Sequence, residues 1–158
     1  MSNVLVFGHQ NPDNDAIMSS VVLSQLLNQV EFDGNTYQAC CLGPLPAESA
    51  KLLEDNGVAA PMLIDAIEPA AEGEEAQLVV LCDHNEPGQS VTGLENAVIA
   101  GVVDHHRFGN FTTAAPLHIV ALPWGSSCSI VAKLFEVLGV EPTDVQAKLL
   151  LSAMMTDT

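Results

Sequence analysis

The chain is 158 residues long and 48% hydrophobic, enough for one substantial core and too short for two comfortable domains. Its formal net charge is −16, from 20 acidic residues against 4 basic ones, so nucleic-acid phosphates and anionic membranes are repelled and neither is an expected partner. An apolar run begins within four residues of Met1 and no apolar stretch is long enough to cross a bilayer, which points to a cytoplasmic protein.

Residues 4–7 read as a first strand that leads straight into Gly8-His9-Gln10-Asn11-Pro12-Asp13-Asn14-Asp15-Ala16. One imidazole and two carboxylates, His9, Asp13 and Asp15, fall within seven residues, and no Lys or Arg precedes Lys51. Carboxylates this close repel one another, more so when partly buried, and a cation from outside the chain would relieve them. A metal ion held by oxygen ligands and one imidazole nitrogen is the simplest candidate. The alternative is a solvated turn in which Asp13 or Asp15 caps the next helix.

Apolar spacing predicts a helix over residues 16–30, a strand over 36–42, and a helix over 47–56 stopped by Gly57. Residues 61–64 read as a short strand, and residues 68–75, acidic and rich in Ala, Gly and Pro, as a surface loop. Leu78-Val79-Val80-Leu81-Cys82 is apolar without alternation, as in a strand buried on both faces of a parallel sheet, and it breaks at Asp83-His84-Asn85-Glu86. Residues 97–103 repeat the pattern and break at Asp104-His105-His106-Arg107. After a loop at 108–116 come a strand at 118–122, a helix at 128–138 and a last helix at 145–155. Ser126 or Ser127 is the expected cap of the former, although a helix N-terminus also holds anions. His84 and Asn85 are either partners of Asp83 or turn residues; His118, Phe111 and Trp124 read as packing or edge positions. Cys40, Cys41, Cys82 and Cys128 show no CxxC spacing and are expected to be buried thiols.

Strands alternating with helices predict an α/β fold, a mostly parallel sheet with helices on both faces in three α/β/α layers. Such sheets bind ligands beyond the carboxyl ends of their strands, and His9, Asp13, Asp15, Asp83 and His105 all lie just past predicted strand ends. These carboxylates and imidazoles suffice for two divalent ions sharing one carboxylate, able to activate water and clamp a phosphoryl oxygen. One imidazole per ion shifts the preference from magnesium or calcium toward manganese, cobalt or zinc, and the lack of thiolates argues against structural zinc. If Asp104-His105-His106 stays extended, one imidazole faces the metals and the other is free for substrate or proton transfer, with Asp104 orienting a ring.

Together, Gly8-His9 with Asn11-Pro12-Asp13-x-Asp15-Ala16, Asp83-His84-Asn85-Glu86 with Gln89, Asp104-His105-His106-Arg107 with Asn110-Phe111, and Asp157-Thr158 resemble the family II, manganese-dependent inorganic pyrophosphatases of the DHH phosphoesterase superfamily. The resemblance spans the chain in the family's order. It implies that His9, Asp13 and Asp83 bind one metal and that Asp15, Asp83, His105 and Asp157 bind the second, with Asp83 bridging. It further implies two Mn2+ per domain, with Co2+ or Mg2+ as alternatives, and additional Mg2+ arriving with the substrate. The implied reaction is hydrolysis of pyrophosphate to two orthophosphates by a metal-bridging hydroxide. His106 matches the position that contacts the substrate phosphate and leaving group, Arg107, Asn110 and Gln89 are expected on substrate, and Asp104 and His84 behind the ligands. Asn14 and Trp124 depart from the family's pattern. Family members are typically homodimers joined through this domain, and a second domain supplies the Arg and Lys residues that grip pyrophosphate. Residues 1–158 are therefore expected to be the catalytic, metal-binding domain without its clamp, weakly active or inactive alone. Two other readings stand beside this one. A DHH-type phosphodiesterase acting on short oligonucleotides or cyclic dinucleotides is disfavoured by the lack of basic or stacking residues near the motifs. The other is a metal-binding domain that dimerises without turnover.

Overall fold

The computed structural model describes residues 1–157, Asp157 by its backbone alone. Six strands, β1 (Asn3–Phe7), β2 (Thr36–Cys41), β3 (Met62–Leu63), β4 (Leu78–Cys82), β5 (Val98–Asp104) and β6 (His118–Ala121), form one sheet. Their order is β3-β2-β1-β4-β5-β6 and every neighbouring pair is parallel. The helices are α1 (Asn14–Gln29), α2 (Ala47–Asp55), α3 (Ser127–Val137) and α4 (Asp144–Asp157). The chain starts in the middle of the sheet, builds outward through β2 and β3, then returns to the other side of β1. Strand order thus reverses between β1 and β4, where the connections diverge and a crevice opens beyond the carboxyl ends.

The pleat sends alternate side chains of each strand to opposite faces. Val4, Val6, Val80, Cys82 and Val103 pack with residues of all four helices, among them Met18, Leu53, Phe135 and Leu149. Leu5, Phe7, Val79, Leu81 and Val102 face the other way, against Ile67, Val91 and Leu94 from connecting segments. The α/β class and the parallel sheet are as expected; the second helical layer is not, because no α-helix among the described residues covers that face. Right-handed crossovers place the β4–β5 and β5–β6 connections there. Those connections, interrupted by Pro, Gly and Asn, form only two short 3-10 turns, Pro87–Gln89 and Leu94–Asn96.

Local chemistry sets the element ends. α1 begins two residues earlier than its apolar spacing predicts because Asp13 Oδ1 accepts from the Ala16 N–H at 2.8 Å and caps the helix. Thr143 and Gln146 form a reciprocal capping box at the start of α4, at 3.0 and 3.1 Å. Gly8 lies where β1 crosses under α1, and a Cβ there would sit 2.5 Å from Ala16 Cβ and 2.9 Å from Ala16 Cα. All four cysteines are buried and free of disulfides, as expected. His118 is an exposed edge residue whose ring meets Phe32 edge-on at 5.2 Å.

Candidate metal centre

Three loops leave β1, β4 and β5 at the crevice, and each carries part of one cluster. At the end of β4 the backbone turns at Asp83 with φ 59°, a left-handed conformation that Asp tolerates better than most residues, while Asp83 N–H still donates to Val103 O. The Asp83 carboxylate is left between two imidazoles. His9 Nε2 lies 3.2 Å from its Oδ2 and His105 Nε2 lies 3.1 Å from its Oδ1. Asp13 Oδ1, besides capping α1, is 3.6 Å from His9 Nε2. Asp15 Oδ2 is 3.7 Å from His105 Nε2.

Main-chain carbonyls fix the imidazole tautomers. His9 Nδ1 is 2.7 Å from Gln10 O and His105 Nδ1 is 2.9 Å from Trp124 O. A carbonyl only accepts, so each Nδ1 carries a proton and each Nε2 is the nitrogen that faces the carboxylates, donating to them while protonated and free to offer a lone pair once that proton leaves. This is the arrangement of imidazoles prepared to bind a metal. Among the described residues, two groups have donor atoms mutually within 4.8 Å: His9, Asp13 and Asp83; and Asp83, His105 and His106. Oxygen and imidazole donors without a thiolate suit a divalent ion such as manganese, and burial pushes the nearby Cys128 thiol well above its usual range, away from the ligating form.

The second group differs from the sequence expectation in two respects. His105 and His106 do not face opposite ways, because β5 ends at Asp104 and the chain bends immediately after it. Their rings lie 4.0 Å apart, and His106 Nδ1 is 3.8 Å from Asp83 Oδ1 and 2.7 Å from Asp104 Oδ1. Asp15, fully buried, has both oxygens engaged by the start of α3, accepting from Ser127 N–H at 2.8 Å and Cys128 N–H at 2.9 Å. That helix N-terminus does hold an anion, one supplied by the chain itself. Ser126, meanwhile, caps α3 through Ser129 N–H. The side chain of Asp157 lies outside the described residues.

Behind these side chains, Asp104 is fully buried and accepts from His106 Nδ1, both following backbone N–H groups and Asn85 Nδ2. Asn85 spends its whole amide joining two loops, donating also to Arg107 O and accepting from Gly109 N–H. His84 does not touch Asp83's carboxylate: it is buried with Nδ1 on Cys82 O and Nε2 on Ser90 Oγ, and burial pushes it down to about 4, so it stays neutral. Sequence reasoning named Ser127 only as a possible cap, whereas its hydroxyl donates to Asp83 Oδ1 at 3.1 Å while its N–H holds Asp15. It missed Gln10, which ties the β1 loop to Gln89 O and Ser90 O. An open recess of about 540 Å³ beside the cluster is lined by His9, Asp83, Glu86, Gln89, His106 and Arg107, among others, but not by Asn110. Arg107 is the one permanent cation of that lining, and Glu86 lies 3.8 Å from it.

Protons occupy the cluster as a cation would. Hydrogen bonds with Asp13 and then Asp83 push His9 up to about 11, and the bond with Asp83 pushes His105 up to about 9. Burial, then the Asp83 charge, pushes Asp15 up to about 7. Burial opposes ionisation of Asp83 and Asp13, yet their imidazole partners hold both below the usual carboxylate range. Unfolded imidazole titrates near 6.5, so the folded chain binds extra protons at His9 and His105 above that pH. Their contribution is complete below about 6.5 and is lost as pH rises through 9 toward 11. The metal-free melting temperature should therefore fall between pH 7 and pH 9, and saturating manganese, which displaces those protons, should flatten or reverse the slope. A metal-free melting temperature that climbs across that interval would remove the imidazolium assignment.

Comparison with known proteins places these motifs among relatives. The model of the DHH family, N-terminal domain, matches residues 3–156. Curated proteins from three strains of Streptococcus agalactiae, each named "Probable manganese-dependent inorganic pyrophosphatase", are 44% identical over 158 residues, covering 100% of this chain and 49% of theirs. A crystal structure from Methanococcus jannaschii, provisionally named a family II inorganic pyrophosphatase, matches with a TM-score of 0.77 and 30% identity, over 100% of this chain and 49% of its own. An exopolyphosphatase-related protein from Bacteroides fragilis shares the fold at a TM-score of 0.68 and 18% identity, over 99% of this chain and 46% of its own. The chain spans about half the length of the curated relatives it matches.

Proposed function

Because this chain belongs to the DHH family through its N-terminal domain, we propose that it is the metal-binding half of a manganese-dependent inorganic pyrophosphatase, which hydrolyses pyrophosphate to two orthophosphates. The observation that carries the reading is the Asp83 carboxylate, with one imidazole on each of its oxygens. His9, Asp13 and Asp83 would hold one ion, and Asp15, Asp83 and His105 the other, with Asp157 as a further ligand. Manganese fits this donor set best; cobalt or magnesium are alternatives, with additional magnesium accompanying the substrate. When bound, two such ions supply Lewis acidity toward phosphoryl oxygens and a water acidic enough to attack at neutral pH.

The chain's own residues supply the rest. His106, with Nδ1 committed to Asp104, keeps Nε2 for the substrate and passes a proton to the departing phosphate. Arg107 and Gln89 line the recess and contact the substrate's oxygens. One arginine cannot balance a pyrophosphate, so the remaining gripping cations belong to the part of the protein that makes the relatives twice as long. Alone, this domain turns over slowly if at all. We assign it to the cytoplasm as a homodimer joined through this domain, in which the exposed β6 edge offers itself to a second copy. No helix among the described residues is long and apolar enough to cross a membrane.

The test is a manganese titration by calorimetry, followed at saturation by assays with pyrophosphate and with a dinucleotide phosphodiester. Two bound ions, with whatever phosphate release occurs confined to pyrophosphate, are expected. Absence of manganese binding, or cleavage of the phosphodiester in preference to pyrophosphate, would overturn the reading.

A further inference from the structure

Asn14 stands between the two aspartates of the first motif and takes no part in the cluster. It is 8% exposed, and both ends of its carboxamide are used. Its Nδ2 donates to Ser152 Oγ of α4 at 2.9 Å, and its Oδ1 accepts from Ser49 Oγ of α2 at 2.7 Å. Ser49 is fully buried, and Ser152 Oγ also donates to Leu149 O. One amide thus bolts three helices together directly behind the cluster.

Successive residues on a helix project about 100° apart, so Asn14 and Asp15 fan to different sides of α1, and Asp13, its extended N-cap, adds a third direction. At the start of α1 that fan is anchored in three directions. Asp13 lies toward His9 and caps the helix, Asn14 is fixed to α2 and α4, and Asp15 is fixed to the first N–H groups of α3. A small rotation of α1 about its axis would carry the Asp13 and Asp15 carboxylates off their partners together. Of the three anchors, only the Asn14 side chain touches no group of the cluster, so its bonds to α2 and α4 hold α1 in place whether or not a metal is bound.

We infer that Asn14 is a positioning residue: through Ser49 and Ser152 it sets the rotation of α1 and hence the affinity of both metal positions. The inference rests on the proposed metal centre and is independent of the substrate. It is tested by manganese affinity, read by calorimetry and by the fluorescence of Trp124, the chain's single tryptophan, whose carbonyl accepts from His105. Asn14→Ala should weaken manganese roughly ten- to hundredfold, as loss of groups supporting ligands does. Ser49→Ala, which touches no group of the cluster and is milder for folding, should weaken it in the same direction, and Ser49→Thr, which keeps the hydroxyl, should restore it. The double variant Asn14→Ala with Ser49→Ala should bind no more weakly than Asn14→Ala alone, because Ser49 acts through Asn14. Lower melting temperatures with unchanged manganese affinity, or additive losses in the double variant, would overturn the inference. A parent chain that binds no manganese overturns both this and the functional reading; one that binds manganese but prefers the phosphodiester overturns only the substrate.

Discussion

Asp83→Asn should abolish tight binding of both manganese ions, each weakening by more than about a hundredfold, or roughly 2.7 kcal/mol. The carboxylate serves His9 on one oxygen and His105 on the other, and an amide cannot present two anionic oxygens. Both imidazoles also lose a charge that raises them, His105 its main one and His9 the second after Asp13, so both titrations should move down in the metal-free chain, His105 the further toward the ordinary range. Calorimetry gives the stoichiometry and nitrogen-detected NMR the two titrations. Loss of one ion with the other unaffected would show that Asp83 belongs to a single position and that no carboxylate is shared.

Gly8→Ala should destabilise the chain by about 3 kcal/mol or more, a fall of roughly 6–12 °C in melting temperature for a domain of this size. The new methyl would stand 2.5 Å from Ala16 Cβ and 2.9 Å from Ala16 Cα and O. Most of what it meets is helix backbone, so no rotamer change relieves it, and α1 must lift away from β1. Because residues 9–13 join those two elements, manganese affinity should fall with stability. Adding Ala16→Gly removes the closest contact and should recover part of the loss. A Gly8→Ala chain with parental melting temperature and manganese affinity would mean that β1 and α1 are not packed as described.

Much of the site is legible in the sequence because the chain breaks its apolar runs abruptly. Val4 to Phe7, Leu78 to Cys82 and the run before Asp104 each end in Asp or His, and parallel pairing brings those ends to one edge. The anchoring of Asp15 is not legible, since its N–H partners lie 112 and 113 positions away and Ser127 and Cys128 carry no mark of the role. Asn85 looks like an ordinary turn residue, and only its burial shows that it holds Asp104 in place. The shared side of His105 and His106 escaped too, because the apolar run marks where β5 ends but not how the chain bends after Asp104. The layering was misjudged for a similar reason: periodicity identifies helices without saying which face of a sheet they cover, and the crossovers on the second face are not helical.

The late partners of Asp15 bear on the order in which the protein is made. His9, Asp13 and Asp15 leave the ribosome first, Asp83 and His105 much later, and the α3 amides only with residues 127 and 128. β4 must also seat itself against a strand synthesised some seventy residues earlier. A nascent chain can therefore bring His9, Asp13 and Asp83 together once β4 has paired with β1, whereas Asp15 stays unanchored until residues 127 and 128 emerge. On the proposed assignment, a chain that stops before α3 lacks the amides that hold Asp15, so the second metal position is expected to form only once residues 127 and 128 are in place.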